Sequence, residues 1–292
     1  MIKKSSSRKA FEVFNVIFML FLSFIAIYPL IFVLNASFSD SNALLRNGGK
    51  PLWLPIDANI QAYKMVFSNK LILTGYMNTI FVVVAGTVVD IVLTSMCAYP
   101  LSKKGPMLNS IITKIIVFTM FFSGGLIPTY MLVKNVGLMD NIWALIIPAS
   151  ISTYNMIILR TGFSAIPESL TESALIDGAS QMKILFKIML PLVKPTLTVV
   201  ALYYAVTRWN AWFDASIYLQ RSSEKWPLQL ILRQILIQND VNTGETGVDQ
   251  VQNVAESIKY ATIIVATLPV VCIYPFVQKY FTKGIAMGAV KG

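Results

Sequence analysis

The chain has 292 residues, of which 55% are hydrophobic and 13% are charged, whereas about a quarter of the residues in soluble domains are charged. This balance excludes an ordinary soluble protein and predicts an all-α polytopic membrane protein, because several apolar runs reach the roughly 20 residues that cross a bilayer as a helix. The formal net charge is +10, but the basic residues lie beside the apolar runs, which indicates membrane topology and argues against nucleic-acid binding.

Six apolar runs predict six transmembrane helices. Four basic residues within positions 3–9 precede the first run and place the N-terminus in the cytoplasm, and six crossings return the C-terminus to the same side. A cleaved signal peptide is the alternative for the first run, although the run is too long for one and lacks a clear small-x-small site. The predicted spans are Val13–Asn35, Tyr76–Pro100, Leu108–Val133, Ile142–Arg160, Leu192–Phe213 and Tyr260–Phe281.

The spans divide the chain into a cytoplasmic N-terminal tail (1–12), a transmembrane domain (13–281) and a cytoplasmic C-terminal tail (282–292). Two outward loops, 36–75 and 214–259, exceed the usual length of a connection. We therefore expect these loops to have a function or a small structure of their own.

Asp90 is an acidic residue in the cytoplasmic half of the second span, where an unpaired carboxylate costs about 2.5–3.5 kcal/mol. Such a group needs a partner, a water-filled cavity or a proton. Lys114 lies at a comparable depth in the third span, so we expect an intramembrane ion pair between Asp90 and Lys114. A role in gating or in the substrate path is the alternative.

The cytoplasmic loop 161–191 has the signals of two short helices. Pro167 suits the start of the first helix, and Gly178 suits a left-handed residue at its end. Ser180 can cap the second helix, which Pro191 separates from the fifth span. Two short helices bent at a glycine form a compact knob for a partner subunit to contact. An ordinary amphipathic helix pair on the lipid headgroups is the alternative.

The fifth span ends in a cluster of aromatic and polar residues. Aromatic planes beside hydrogen-bonding groups suit sugars, which have apolar faces and hydroxyl edges, and an arginine suits acidic sugars in particular. Anchoring of Tyr and Trp at the membrane interface is the alternative. The candidate residues of a substrate path are Tyr204, Arg208, Trp209, Asn210, Trp212 and Asp214.

Residues 172–178 read E-S-A-L-I-D-G and are followed ten residues later by Ile-x-Leu-Pro, a pattern that resembles the EAA loop of ATP-binding-cassette import permeases. In that family the loop docks into a groove on the nucleotide-binding subunit. Segment 280–292 resembles the carbohydrate branch, the second permease of the maltose type, and segments 124–130 and 209–214 resemble permeases for oligosaccharides and polysaccharide fragments. The resemblance assigns ATPase coupling to Glu172, Ser173, Ala174, Asp177, Gly178, Ile188, Leu190 and Pro191, and ATPase contact by the tail to Lys283, Gly284, Gly288 and Lys291.

The resemblance implies a type I importer permease architecture, in which this chain forms half of a carbohydrate pore in the bacterial cell membrane. The implied partners are a second six-span permease subunit, two ATP-binding subunits and an extracellular solute-binding protein. The outward loops would dock the binding protein, and a lid structure is the alternative. The chain itself is expected to bind no cofactor, because ATP and Mg would be used by the partner ATPase.

Two other classes of protein fit the sequence less well. A stand-alone secondary transporter of small polar solutes is the alternative function, but the chain lacks the internal repeat and the several midplane charges expected of one. An intramembrane enzyme would need a metal site or a nucleophile, whereas the chain has no histidine and its two cysteines, Cys97 and Cys272, lie in apolar runs. The chain also lacks a G-x-x-x-x-G-K-[ST] loop, so we expect no ATP hydrolysis and no metal site here.

Overall fold

The computed structural model describes residues 6–103, 105, 108–241, 257–272 and 275. All regular elements within these residues are helical, which confirms the all-α prediction. The described residues form two compact units, one from the chain before Leu71 with Leu232–Leu268, and the other from Leu71–Ile231 with the chain from Pro269 onward. The helices are α1 (Ser6–Ser37), α2 (Ser41–Arg46), α3 (Gln61–Ser68), α4 (Lys70–Ser102), α5 (Asn109–Phe121), α6 (Leu126–Asn135), α7 (Thr153–Ser164), α8 (Glu168–Ile176), α9 (Gln181–Ile184), α10 (Leu190–Leu192), α11 (Lys194–Asn210), α12 (Phe213–Tyr218), α13 (Leu228–Val241) and α14 (Ser257–Cys272), with 3₁₀ turns at Ile142–Leu145 and Ser223–Lys225 and a π-helical turn at Leu185–Met189.

Helix α1 from Phe11 onward and helix α4 are each long and apolar enough to cross a membrane. Two pairs of helices also qualify if each is joined across a sharp bend: α5 with α6, bent by 107°, and the segment Gln181–Leu192 with α11, bent by 91°. Length and composition thus support two to four spans among the described residues. The count of six and the side of the termini stay predictions, and most of the predicted sixth span after Cys272 lies outside the described residues.

The predicted fourth span, Ile142–Arg160, is wrong as a single helix. It contains a 3₁₀ turn at Ile142–Leu145 and the first part of α7, and residues 146–152 between them are not helical. Pro148 has no N–H to donate to a helix, and the Ser152 side chain caps α7 by accepting a backbone hydrogen bond. Helix α7 has 12 residues, which is too short to cross a bilayer alone.

The short helices α2 and α3 of the first unit lie within the predicted outward loop 36–75. Asp40 caps α2 by accepting hydrogen bonds from the backbone N–H groups two and three residues later, at 2.9 and 3.2 Å. The Ser257 hydroxyl on α14 accepts a hydrogen bond from the Ser41 hydroxyl at 2.8 Å and donates one to the Ser39 carbonyl at 2.7 Å. These buried polar contacts hold the loop against α14.

One apolar core of the second unit joins the helices that carry the candidate functional residues. Tyr99 of α4, Phe163 of α7, Ala174 of α8, Ile184 of α9 and Val200 of α11 are all buried in it. The rings of Tyr99 and Phe163 meet edge to face with centroids 5.8 Å apart. Helices α4, α7, α8, α9 and α11 therefore share one close-packed interior, which has little freedom to deform at a single point.

The bend between α5 and α6 depends on Gly125, which has φ 88° and ψ 177°. This backbone region is almost closed to residues with a side chain, at a cost of roughly 1–3 kcal/mol. A Cβ at Gly125 would meet nothing within 4 Å, so any effect of a substitution comes from the backbone alone.

We therefore expect Gly125→Ala to lower the thermal unfolding midpoint of the purified protein by several degrees. Gly124→Ala is the matched control, because its Cβ would lie 3.9 Å from the nearest atom, Cβ of Pro128, in ordinary contact. Equal midpoints for the two variants would show that the bend does not depend on Gly125.

Candidate functional site

A cavity of about 880 Å³ lies beside α7 and α11 in the second unit. Its volume falls in the range of about 300–1,000 Å³ that is typical of sites for small molecules. The wall is mainly apolar and aromatic, with a few polar groups. The lining residues include Val83, Leu145, Ala149, Ile151, Ser152, Tyr154, Asn155, Leu202, Tyr203, Tyr204, Ala205, Val206, Thr207, Arg208, Trp209, Ala211 and Asp214.

The Arg208 guanidinium, at one side of the cavity, forms a buried ion pair with Asp90 of α4. Its Nε and Nη2 atoms each donate to one oxygen of the Asp90 carboxylate at 2.6 Å. Nη1 also donates to the Leu145 carbonyl at 2.6 Å, and Nη2 to the Ile146 carbonyl at 3.1 Å. Asp90 is 0% and Arg208 6% exposed, so both charges are neutralised inside the protein and four of the five guanidinium N–H groups are bonded.

The predicted pairing of Asp90 with Lys114 is wrong, because Arg208 occupies both oxygens of the carboxylate and Lys114 is exposed. Gly86, one turn before Asp90 on α4, makes room for this arrangement. A Cβ at Gly86 would lie 2.5 Å from Arg208 Nε, closer than any real contact of that kind. The position of Asp90 in the second span predicted that it needs a partner, a water-filled cavity or a proton, but it did not show which helix would supply a partner.

The residues predicted to form a substrate path divide into two groups. Tyr204, Arg208, Trp209 and Asp214 line the cavity, whereas Asn210 and Trp212 do not. Burial raises the pKa of the Asp214 carboxyl above its ordinary value, and the nearby positive charge of Arg208 opposes that rise. In contrast, the exposed Asn210 side chain donates to the Val206 carbonyl on its own helix at 2.9 Å, and Trp212 packs partly buried beside α12.

Tyr204 connects three elements around the cavity. Its hydroxyl shares a 2.7 Å hydrogen bond with Thr94 Oγ1 on α4 and accepts one from the Ser152 N–H, before α7, at 2.9 Å. Tyr204 also belongs to the core that contains Ala174 and Ile184 of the coupling loop. The hydroxyl is therefore used in holding α4, α7 and α11 together.

Asn155 of α7 is a cavity residue that the sequence reasoning missed. It is 5% exposed, yet its carboxamide has no hydrogen-bond partner among the residues that the structure describes. No strong sequence signal marks it, because Asn155 follows the polar residues Ser152 and Thr153 at the start of α7.

The loop 161–191 forms the predicted pair of helices. Gly178 follows α8 with φ +76°, and the Ser180 side chain caps α9 by accepting from the Lys183 N–H at 3.4 Å, so the glycine and serine predictions are confirmed. Pro191 does not end the second helix, which continues to Leu192. The bend comes at Val193, before α11 begins.

The coupling residues divide between an outer surface and the core. Ala174, Ile188 and Leu190 pack inward with the core shared by α7 and α11. The four proposed tail contacts lie outside the described residues. The exposed members of the predicted coupling set are Glu172, Ser173, Asp177, Gly178 and Pro191.

Comparison with known proteins decides the family. The model of a family described as "Binding-protein-dependent transport system inner membrane component" matches residues 90–287, which is more than half of the chain. The chain belongs to this family. The permease is 42% identical over 280 residues to the polygalacturonan/rhamnogalacturonan transport system permease protein YtcP of Bacillus subtilis (strain 168), covering 94% of this chain and 96% of YtcP.

Two further relatives agree with this assignment. The permease is 40% identical over 287 residues to protein LplC of the same organism, covering 97% of this chain and 96% of LplC. It also matches, with a TM-score of 0.86 and 33% identity, a chain of a bacterial ABC transporter involved in the import of the acidic polysaccharide alginate. That match covers 96% of this chain and 100% of the other, and it establishes the ABC importer permease fold.

The ion pair gives a direct prediction. Asp90→Leu leaves the Arg208 charge buried without a partner, so we expect it to destabilise the permease by about 3–5 kcal/mol and to lower the thermal midpoint. The double variant Asp90→Leu/Arg208→Met should regain most of that loss. Lys114→Met is the control and should leave the midpoint unchanged. A decrease in the thermal midpoint of Lys114→Met as large as the decrease in Asp90→Leu would contradict the observed pairing.

Proposed function

We propose that this permease is one of two membrane subunits of an ATP-driven importer of oligosaccharides or polysaccharide fragments. The observation that carries the proposal is that one packed unit contains both a cavity with aromatic walls and an exposed helix pair of the kind that couples to an ATPase. The substrate class is supported by the names of the relatives, a polygalacturonan/rhamnogalacturonan permease and an alginate importer.

The proposed coupling runs through α11. Helix α11 begins directly after the loop at Lys194, and its later residues line the cavity, so the two sites lie at opposite ends of one helix. Ala174 and Ile184 of the loop share a core with Tyr204 of the cavity wall. A partner ATPase that pulls on the exposed surface around Gly178 would therefore displace the wall of the cavity.

The other components of the proposed importer follow from the family, whose name refers to a binding protein. They are a second permease subunit, two subunits that bind ATP and Mg, and an extracellular solute-binding protein. In this proposal the permease provides no chemistry, and its part is to open the cavity to each side of the membrane in turn.

The test is copurification of the permease from its native membrane in mild detergent. We expect an ATPase and a second permease to copurify with the wild type, and Gly178→Asp to lose the ATPase, because its side chain projects into the docking surface. Gly137→Asp is a matched control, since both glycines are exposed and a Cβ at either position would meet nothing within 4 Å. Their backbones also agree, with φ +77° at Gly137 and +76° at Gly178.

The two glycine variants carry the same backbone strain, so they separate docking from folding. Loss of the ATPase in both variants would indicate strain and would contradict the coupling surface. A wild-type permease that purifies without any ATPase would contradict the proposed function itself.

A further inference from the structure

The Asn155 carboxamide is the unusual feature of the cavity wall. Most polar side chains in protein interiors are hydrogen-bonded to protein or to ordered water. Asn155 is 5% exposed and lines the cavity, but its carboxamide has no hydrogen-bond partner within the described part of the chain. Its local structure does not require the side chain either, because Asn155 uses its backbone N–H to bond the Ser152 hydroxyl at 3.4 Å.

Three other polar side chains of the wall are already hydrogen-bonded within the protein. The Tyr204 hydroxyl is bonded to Thr94 and to the Ser152 N–H, and the Thr207 hydroxyl donates to the Tyr203 carbonyl at 2.8 Å. Four N–H groups of the Arg208 guanidinium donate hydrogen bonds to Asp90 and to two backbone carbonyls. The Asn155 carboxamide differs from these three: it lines the cavity and forms no hydrogen bond with the described residues, so it is left, with the Asp214 carboxylate, to contact what fills the cavity.

The polar and aromatic side chains of the cavity wall indicate which class of molecule fits the cavity. A carboxamide offers one acceptor and two donors, which match neighbouring hydroxyl groups on a sugar ring. The rings of Tyr154 and Tyr203, 6.1 Å apart and tilted by 49°, offer apolar faces for the C–H side of the same ring. The wall offers little to bind an acidic group of a substrate. The positive charge of Arg208 is neutralised by Asp90, and the other charged side chain among the lining residues is the acid Asp214.

We propose that Asn155 binds sugar hydroxyl groups in the cavity, so that this subunit contacts the neutral hydroxyl face of its saccharide and not its carboxylates. This inference rests on the proposed function and assigns Asn155 as a substrate-binding residue. Recognition of acidic groups then belongs to other components of the importer.

The test is ATP-dependent uptake by the purified importer in proteoliposomes, with a labelled oligogalacturonate digest as the probe and saturating binding protein. We expect Asn155→Leu to reduce uptake by about tenfold, since the hydrogen bonds to substrate are lost. The same variant should keep the thermal midpoint, because the Asn155 carboxamide forms no hydrogen bond with the described residues that leucine would remove. Asn135→Leu, an exposed asparagine at the end of α6, is the control and should transport normally.

The nature of the contact is tested by Asn155→Asp. A carboxylate can still accept hydrogen bonds from hydroxyl groups, so this variant should retain more uptake than Asn155→Leu. If it retains less, Asn155 faces a substrate carboxylate, and the hydroxyl assignment is overturned.

Three further outcomes are decisive. Uptake by Asn155→Leu equal to the wild type would overturn the role of Asn155 while leaving the proposed function intact. A midpoint that falls together with uptake in both Asn155→Leu and the smaller Asn155→Ala would show a structural role and also overturn the inference. Absence of ATP-dependent uptake by the wild type would instead contradict the proposed function.

Discussion

Two opposite charges, on Asp90 and Arg208, lie fully inside the protein and bond to each other through both carboxylate oxygens. Neither charge is tolerable alone in an apolar interior, so the helices that carry them must stay together. The same guanidinium reaches two backbone carbonyls at the end of the 3₁₀ turn, where the chain leaves helical structure and those carbonyls need donors. The pair therefore fixes α4, α11 and the segment before α7 as one wall of the cavity, and Gly86 is the residue that lets them come close enough.

The arrangement separates the structural groups of the wall from those that face the cavity. Arg208 and Tyr204 have the most conspicuous polar side chains at this site, yet both are used to hold helices together. The groups left for a substrate include aromatic faces, the Asn155 carboxamide and the Asp214 carboxylate. In the proposed importer, the packed core behind this wall would transmit displacement from the coupling loop.

The sequence predicted features that depend on local chemistry. Gly178 and Ser180 could be placed because a left-handed residue and a helix cap leave their signature in neighbouring residues. The partner of Asp90 could not be predicted, since depth in a span does not show which helices are adjacent. The fourth span was mispredicted for a different reason: apolar character does not by itself make a helix, and here residues 146–152 are non-helical although Ile146, Ile147 and Ile151 are apolar. Asn155 was missed because its place on the cavity wall, and the lack of a partner for its carboxamide among the described residues, depend on the tertiary structure.

The central claim is that this permease moves a saccharide only when an ATPase drives it. The most direct measurement is uptake of a labelled oligosaccharide into proteoliposomes that contain the purified importer, with the binding protein outside and ATP on the ATPase side. We predict uptake that requires both ATP and the binding protein and that is unaffected by collapsing proton and sodium gradients. Uptake without ATP that follows an ion gradient would contradict the account and would point to a secondary transporter.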